Sequence, residues 1–431
     1  MSDISKEPYK GVRDFFPEDM YIQQWIFNGM RDVVEKYGYV EYSASILEPA
    51  SLYRDKSSEE IVNEQMYTFR DRGDREVALR PEMTPTVARM VAAEHKKRSF
   101  PLRWYSIPNV FRYERPQRGR MREHWQLNVD LFGVNSLFAD VEVITIAHDL
   151  LSSFGLNTDQ FEIRISDRGL LNTYLSSLEL NDEQTTQLIR LIDKRRKIEA
   201  DKFETGLNEI CGEKSRDLLS LFEATSVAEI RDSLPQTDEV KEKIDRLEDV
   251  ISKLKEGGIE NITFDPSLVR GFDYYTGIVF EVFDTSEENN RSLFGGGRYD
   301  RLLETFGEEH IPAIGFGMGD VTLRDVLETY DLLPEYESPA DLYICVVSEN
   351  VLEHAHTVAQ QLREKDVRVV LELAGRAVGT QIKDADTSGI PYIICVGEDE
   401  AQSGEYTLKE LESGEETTGD IEAIADIILG E

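Results

Sequence analysis

Polar side chains recur at every second position between Arg122 and Asp130. Because alternate residues of a β-strand share one face, this stretch predicts a strand with one polar and one apolar face. The polar face would carry Arg122, His124, Gln126, Asn128 and Asp130. A half-solvated strand shows the same alternation, but Arg112 and Glu114 also share a face, beside a basic loop. Since arginine pairs well with phosphate groups, we interpret this surface as a phosphate-binding site.

Two further clusters combine charged groups with hydroxyl groups. The segment Arg270–Tyr275 places an arginine and an aspartate before two tyrosines. Tyrosines in strands are usually packing residues, whereas an arginine beside a glycine is harder to explain by packing. The segment Leu79–Thr84 places a carboxylate and a hydroxyl at a proline-marked helix start. A simple N-cap with an acidic first turn is the alternative explanation there.

Two glycine-rich segments could bring the backbone close to another group. They are Gly295–Gly297, which precedes Arg298-Tyr299-Asp300, and Gly315–Gly319. Glycine permits such close approach because it has no Cβ atom. Neither segment matches G-x-G-x-x-G or a Walker loop, so by themselves they do not indicate a nucleotide site.

Hydrophobic periodicity predicts the elements that must position these residues. The predicted elements are helices at about 20–37, 84–97 and 138–154, two strands at 101–133 joined by the loop Arg115–Arg122, a helical insertion at 168–256 and strands at 262–283. A polar linker follows at 335–339. Strands and helices alternate beyond it, which predicts a separate small domain with a mainly parallel sheet.

The length and the cysteine content narrow the class of protein. A chain of 431 residues is expected to form two or three domains. We find no signal-like N-terminus and no long apolar run, so we expect a cytoplasmic protein without a membrane partner. The three cysteines, Cys211, Cys345 and Cys395, are far apart in sequence, which indicates neither a disulfide framework nor a zinc site.

The charge of the chain is strongly negative. It has 84 acidic and 48 basic residues, a formal net charge of −36, which by itself argues against a nucleic-acid partner. Between Lys96 and Arg122, however, nine basic residues accompany one acid, Glu114. We therefore expect a local basic patch on an acidic, halophile-like surface of the kind found in proteins that work at high salt.

Taken together, these motifs resemble those of the class II aminoacyl-tRNA synthetases, and within them the histidyl-tRNA synthetase family. Leu79–Thr84 is similar to that family's Arg-Pro-Glu-x-Thr element, and Phe111–Gln117 with Gln126 and Asp130 is similar to its second motif. Val269–Tyr275 resembles the histidine-specific segment, and Gly295–Tyr299 the glycine loop that follows it.

The resemblance implies an α+β fold with a six-stranded antiparallel sheet flanked by helices. It implies a catalytic domain at 1–334, interrupted by the helical insertion at 168–256, and an α/β anticodon-binding domain at 335–431. The implied activity is ATP-dependent formation of histidyl-adenylate from L-histidine and transfer to the 3′ end of tRNA(His), releasing AMP and diphosphate. A homodimer formed through the 20–50 region is also implied.

The resemblance further assigns roles to individual residues. The residues implied to bind histidine are Glu82, Met83, Thr84, Gln126, Asp130, Arg270, Tyr274 and Tyr275. Those implied to bind ATP are Arg112, Glu114, His124 and Arg270, with Arg112 and Arg270 as the catalytic residues. Arg115 and Gln117 are implied to bind tRNA. Mg²⁺ is expected to arrive with ATP, with no metal held by the protein alone and no zinc.

The chain departs from the family pattern at one motif. The family's third motif usually carries an arginine where this chain has Thr322, and Arg324 would point elsewhere on a helix. Either another cation, Arg122 or Arg298, substitutes, or ATP is bound more weakly. Asp130 also stands where many relatives have glutamate.

Two other functions fit parts of the pattern. One is a regulatory subunit of histidine biosynthesis with the same catalytic fold, which the missing arginine favours slightly. The other is a synthetase for threonine or proline. The complete Arg270–Tyr275 segment and the extra C-terminal domain argue against the regulatory subunit, and Asp130 with Tyr275 favours an imidazole ring over other side chains.

Overall fold

A computed structural model of the chain describes residues 5–54, 61–178, 180–195, 198–268, 274–286 and 292–430. The chain divides into two compact units, Met1–Leu333 and Pro334–Glu431. Each unit has its own hydrophobic core. Among the described helices, none is long and apolar enough to cross a membrane.

The first unit is built on one large sheet and a smaller three-stranded one. Its strands are β1 (Val40–Glu41), β2 (Leu47–Pro49), β3 (Thr68–Arg70), β4 (Glu76–Leu79), β5 (Leu102–Ser106), β6 (Asn109–Phe111), β7 (Glu123–Phe132), β8 (Phe161–Asp167), β9 (Ile262–Phe264), β10 (Ile278–Asp284), β11 (Ser292–Arg298) and β12 (Ala313–Gly319). Its helices are α1 (Pro17–Lys36), α2 (Ser51–Arg54), α3 (Thr84–Glu94), α4 (Leu137–Ser153), α5 (Arg168–Ser177), α6 (Asp182–Lys194), α7 (Ala200–Cys211), α8 (Ser215–Glu223), α9 (Val227–Ile230), α10 (Asp238–Glu256) and α11 (Asp320–Thr329).

Six consecutive strands of the large sheet are antiparallel, in the order β5-β7-β12-β11-β10-β8. The short strands β1 and β9 extend the two edges in parallel pairings, and β6 pairs with the first residues of β7. The predicted antiparallel sheet flanked by helices is therefore confirmed. The segment 101–133 contains three strands instead of the two predicted. Only two residues separate β5 from β6, and the hydrophobic pattern does not reveal so short an interruption.

The first helix shows why these residues form the predicted elements. Pro17 occupies the first turn, where its missing N–H costs nothing, and Gly38 adopts a φ of 77° just after the helix ends. Ile26, Met30 and Val33 recur at helical spacing and are buried. This apolar face packs α1 against α4 on the large sheet.

The helical insertion is amphipathic along its length. In α10, for example, Val240, Ile244 and Leu247 are buried while most acidic and basic residues of the helix are exposed. Buried residues of α5 to α10 belong to the same hydrophobic cluster as the sheet residues Ile163 and Ile165. The insertion therefore shares the core of the first unit.

The second unit contains a five-stranded mixed sheet. Its elements are β13 (Leu342–Val346), α12 (Leu352–Arg363), β14 (Val369–Leu371), α13 (Val378–Thr387), β15 (Tyr392–Val396), α14 (Glu398–Ser403), β16 (Tyr406–Glu410), β17 (Glu416–Gly419) and α15 (Ile421–Leu429). Strands β14, β13 and β15 are parallel, as predicted, but β16 and β17 add an antiparallel hairpin. The hairpin has only Tyr406 and Leu408 as buried apolar residues, so its sequence carries little strand signal.

Candidate active site

A cavity of about 90 Å³ opens on the central strands of the large sheet. Its floor comes from β7, β11 and β12, and its walls come from the start of α3 and from segments next to strands. The lining residues are Glu82, Thr84, Arg112, Gln126, Asn128, Asp130, Tyr274, Tyr275, Gly295, Tyr299, Gly315, Phe316 and Gly317. The alternation read from the sequence of β7 thus brings three polar side chains, 126, 128 and 130, to one cavity.

Two glycines of β12 make room for these side chains. Gly315 is the register partner of Asp130, and a Cβ atom at Gly315 would lie 2.6 Å from Asp130 Oδ1. A Cβ atom at Gly317 would lie 2.6 Å from Gln126 Nε2. Both separations are far below van der Waals contact, so the polar groups of β7 can point into the cavity only because glycine stands beside them.

Asp130 is the most unusual group in the cavity. Its side chain is buried, and the Tyr299 hydroxyl donates a hydrogen bond to Oδ1. The other oxygen, Oδ2, is buried and has no hydrogen-bond partner among the described residues. Burial raises the pKa of Asp130 to about 7, while the hydrogen bond from Tyr299 acts in the lowering direction. A buried acceptor without a donor is costly, so the carboxylate is suited to receive a donor from a ligand.

The cavity also carries groups of both charges at its other walls. Glu82 is buried and accepts a hydrogen bond from the Tyr274 hydroxyl at 3.2 Å. Arg112 donates from Nε to the carbonyl oxygen of Pro81 at 2.9 Å, which fixes the guanidinium beside the same segment. Thr84, the first residue of α3, lines the cavity with them. The site can therefore accept an ammonium group at Glu82 and an anionic group at Arg112.

His124 lies next to this site on the same strand as Gln126. Burial, followed by the positive charges of Arg112 and Arg13, lowers the pKa of His124 to about 3. The ring is therefore neutral at physiological pH. Arg13 itself donates to Asp320 at 2.7 Å, and Asp320 also accepts from the backbone N–H of Trp125 at 2.8 Å. Arg13 was not predicted from the sequence, because its partner is 307 positions away.

The structure brings together most of the residues that were predicted to bind histidine, and it also shows exceptions. Those that line the cavity are Glu82, Thr84, Gln126, Asp130, Tyr274 and Tyr275, together with the predicted catalytic residue Arg112. The side chain of Met83 is wholly buried at the start of α3 and does not line the cavity, so only its backbone could contact histidine there. Arg270 lies outside the described residues.

The remaining predicted residues lie around the cavity. Glu114 does not line it, since its carboxylate pairs with Arg120 at 3.2 Å, and His124 is not a lining residue either. Arg115 and Gln117 are exposed on the loop between β6 and β7. The backbones of Gln117 and Arg120 pair across the tip of that loop.

Neither arginine considered as a substitute at the third motif lines the cavity. Arg298 is buried and donates from Nε to Asp140 at 2.6 Å, so its charge is used within the fold. The Arg122 guanidinium lies 3.9 Å from the centre of the Tyr113 ring. Thr322 donates its hydroxyl within the structure, with the Leu293 carbonyl oxygen at 2.9 Å.

Two residues important to the site could not be assigned from the sequence. Tyr299 reaches Asp130 from the segment after β11, and only its place behind three glycines hinted at the site. Arg80 donates to the carbonyl oxygens of Asn109 and Ala44 at 2.8 and 2.9 Å, which holds the segment before Glu82 against the rest of the wall. Arg80 belongs to the Arg-Pro-Glu-x-Thr element, but the sequence of that element does not indicate this supporting role.

The chain is similar to known proteins along nearly its whole length. Residues 11–322 match a sequence model of the family described as histidyl-tRNA synthetase, and residues 341–431 match the anticodon binding domain. A histidine–tRNA ligase of Leptospira biflexa is 42% identical over 420 residues, covering 96% of this chain and 95% of the relative. One from Haloarcula marismortui is 39% identical over 415 residues, covering 95% and 94%. The crystal structure of histidyl-tRNA synthetase from Nostoc sp. PCC 7120 superimposes with a TM-score of 0.83 at 24% identity, covering 99% of each chain.

Proposed function

Because this chain belongs to the histidyl-tRNA synthetase family and activates histidine with ATP for transfer to tRNA(His), we propose how its residues divide that reaction between them. The observation that carries the proposal is the single cavity that joins Glu82, Asp130 and Arg112. Histidine has an ammonium group, a ring that donates N–H and a carboxylate, and the cavity offers groups of matching chemistry.

Histidine binds with its ammonium group toward Glu82, Thr84 and Gln126. Its ring lies toward Asp130 and Tyr275, so that one ring nitrogen donates to the carboxylate and the other meets a hydroxyl that can donate or accept. Tyr274 supports the ammonium site through its hydrogen bond to Glu82. A side chain without ring nitrogens would leave the buried Oδ2 of Asp130 without a donor, which penalises binding of such a competitor.

Activation joins the histidine carboxylate to the α-phosphorus of ATP, and pyrophosphate leaves. Negative charge grows on the phosphoryl oxygens during this step, so fixed cations lower the barrier. Arg112 supplies such a cation from the cavity wall, and by resemblance Arg270 supplies the second. ATP enters as its Mg²⁺ complex. By resemblance His124 and Glu114 also contact ATP: neutral His124, beside Arg112, offers an uncharged aromatic face to the base.

This assignment of roles is tested by ATP–pyrophosphate exchange, measured with each of the twenty amino acids in turn. We expect exchange with histidine. With every other amino acid, exchange should be at least about 100-fold slower, because an unpaired buried group penalises each competitor. Equal exchange with threonine or proline would contradict the ring site. Histidine binding without any exchange would contradict the assignment of Arg112 and Arg270 as catalytic residues.

The tRNA contacts are proposed for the exposed loop between β6 and β7, with Arg115 and Gln117 near the acceptor end. Replacing Gln117 by alanine is expected to slow charging of tRNA(His) by roughly 10-fold, a typical loss for a base-edge contact. By resemblance to the family, Gln117 would read the extra 5′ guanosine that marks tRNA(His), so the same variant should charge a transcript that lacks this nucleotide as slowly as the unaltered protein does. Exchange without tRNA should be unchanged, and equal losses on both transcripts would contradict base reading by Gln117.

The proposed assembly is a cytoplasmic homodimer whose second unit binds the anticodon. Val40 and Leu47, in the 20–50 segment, are both exposed apolar residues at the edge of the first unit's strands. Apolar side chains in such positions favour burial against a second copy. Light scattering at the elution peak of a size-exclusion column gives the mass directly, and a mass near one chain would contradict the dimer.

The acidic surface is proposed as an adaptation to salt. At low ionic strength a protein of charge −36 repels itself and its tRNA. Screening shortens this repulsion to about 10 Å at 0.1 M and about 3 Å at 1 M salt. Melting temperature and charging rate are therefore both expected to rise from about 0.1 M toward molar salt. A steady fall of both the melting temperature and the charging rate over that range would contradict the adaptation. ATP–pyrophosphate exchange measured without tRNA shows how much of the effect of salt comes from stability alone, because repulsion of tRNA plays no part in it.

A further inference from the structure

Tyr299 is held in one place by the elements around it. Its backbone N–H donates to the Ala313 carbonyl oxygen at 2.9 Å. Its ring packs edge-on against Phe132 and Tyr274, with 6.1 and 5.9 Å between the ring centres. The side chain is buried in a cluster of apolar residues. Its hydroxyl therefore has a fixed position, and from there it donates to Oδ1 of Asp130.

The contact between Tyr299 and Asp130 is formed directly above Gly315. A Cβ atom at that position would lie 3.2 Å from the Tyr299 hydroxyl and 2.6 Å from Asp130 Oδ1. The hydroxyl comes from the segment after β11, the carboxylate from β7, and the space from β12. Three neighbouring strands thus combine to orient a single carboxyl group.

The two oxygens of Asp130 have different surroundings. Oδ1 is engaged by Tyr299, whereas Oδ2 is buried without a partner among the described residues. Asp130 also lines the cavity. The unpaired oxygen is then the acceptor that remains for a ligand.

On these observations we propose that Tyr299 is a positioning residue for histidine recognition: its hydroxyl fixes Oδ1 of Asp130 so that Oδ2 accepts the ring N–H of the substrate. The proposal rests on the proposed function, in which Asp130 contacts the ring. It adds a residue that acts through Asp130, and it predicts that the hydroxyl of Tyr299 matters for histidine and not for ATP.

The hydrogen bond also keeps the carboxyl group ionised over a wider pH range. The ionisable groups that interact electrostatically with Asp130 are Tyr299, Tyr42 and Tyr39, and the cavity is also lined by Glu82, Arg112, Tyr274 and Tyr275. Of the described groups, Tyr299 is the one that lowers the pKa of Asp130. Without this hydroxyl, none of the described groups offsets the effect of burial on the pKa of Asp130. The carboxyl group would then be protonated at higher pH and could no longer accept a hydrogen bond as a carboxylate.

The test compares Tyr299→Phe with the unaltered protein in histidine-dependent exchange from pH 6 to pH 9. At neutral pH the KM for histidine should rise by about 10-fold, the usual effect of losing one hydrogen bond to a charged group, while kcat and the KM for ATP stay within about twofold. The pH below which the KM for histidine rises should also move upward. Ionisation of free histidine affects both proteins equally, so the shift reports on the site.

Tyr105→Phe is the matched control. Tyr105 is also buried and donates to a carboxylate, Glu35 at 2.6 Å, but it does not line the cavity. It should leave the KM for histidine and its pH profile unchanged. A melting curve of each variant shows whether the fold is kept.

Asp130→Asn separates the possible outcomes. If Tyr299 acts through Asp130, the Tyr299→Phe change should have no further effect on the KM for histidine in the Asp130→Asn background. If Asp130→Asn alters this KM and Tyr299→Phe alters neither it nor its pH profile, the positioning role is wrong. If Asp130→Asn itself leaves the KM unchanged, the ring site of the proposed function is wrong. A Tyr299→Phe protein whose KM and kcat change together without a pH shift would show a merely structural role.

Discussion

Replacing Asp130 by asparagine is expected to raise the KM for histidine on the order of 100-fold, because a charged acceptor for the ring N–H is lost. The KM for ATP should change little. Asparagine has nearly the same shape and keeps one oxygen, so the cavity should stay intact. Steady-state exchange at varied histidine and fixed ATP measures the effect, and an unchanged KM for histidine would contradict the ring site.

The same substitution is expected to stabilise the empty protein. Burial raises the pKa of Asp130 from 3.8 to about 7, so folding favours the protonated form. The stability that this gives is fully present below the unfolded pKa of about 3.9 and is lost as the pH rises through about 7. Asparagine is neutral throughout and avoids that loss, which is on the order of a few kcal/mol above pH 7.

Urea unfolding of both proteins at pH 5 and pH 8 measures this difference. The variant should gain more stability over the unaltered protein at pH 8 than at pH 5. Other ionisable groups contribute equally to both proteins and cancel in the comparison. An advantage of the variant that does not depend on pH would mean that Asp130 is not the group responsible.

Replacing Arg112 by alanine is expected to lower the rate of histidyl-adenylate formation by about 10² to 10³-fold, the usual loss when one fixed group that stabilises transition-state charge is removed. Because this charge develops during the reaction, kcat should fall far more than the KM for histidine rises. Single-turnover formation of the adenylate at saturating substrates measures the step directly.

Arg324→Ala is the matched control for the loss of a cation. Arg324 pairs with Glu328 at 2.9 Å and with Asp19 at 3.1 Å, on helix surfaces away from the cavity lining. It should keep an adenylation rate close to that of the unaltered protein. Arg112→Lys, which keeps the charge without the planar fork, should recover part of the loss. An Arg112→Ala protein with a raised KM and an unchanged kcat would remove Arg112 from the catalytic residues.

Local patterns predicted the parts of the site that lie on one strand. The alternation along β7 was enough to place Gln126, Asn128 and Asp130 together, because the side chains of a strand repeat with period two. The direction of the Met83 side chain was not visible in the same way: Met83 shares a motif with Glu82 and Thr84, but the turn into α3 directs its side chain inward.

Contacts between distant segments could not be predicted in this way. Tyr299 meets Asp130 across 169 positions, and Arg13 meets Asp320 across 307. Such pairs are set by strand order and by packing, which leave no periodic trace in the sequence. The hairpin of β16 and β17 was missed for a related reason, since β16 is held by pairing with β15 and β17 by pairing with β16, with few buried apolar side chains of their own.

The glycines of β12 restrict which substitutions the pocket can tolerate. A methyl group at Gly315 would occupy space 2.4 Å from the Val129 carbonyl oxygen as well as the space beside Asp130. An alanine at position 315 would therefore force the β7 backbone or Asp130 to move, because no free space is left for the added methyl group. Neither a higher histidine concentration nor a second-site change on the surface could restore the original positions of these groups. In a saturation library screened for growth, position 315 should tolerate glycine alone, even though it makes no side-chain contact of its own.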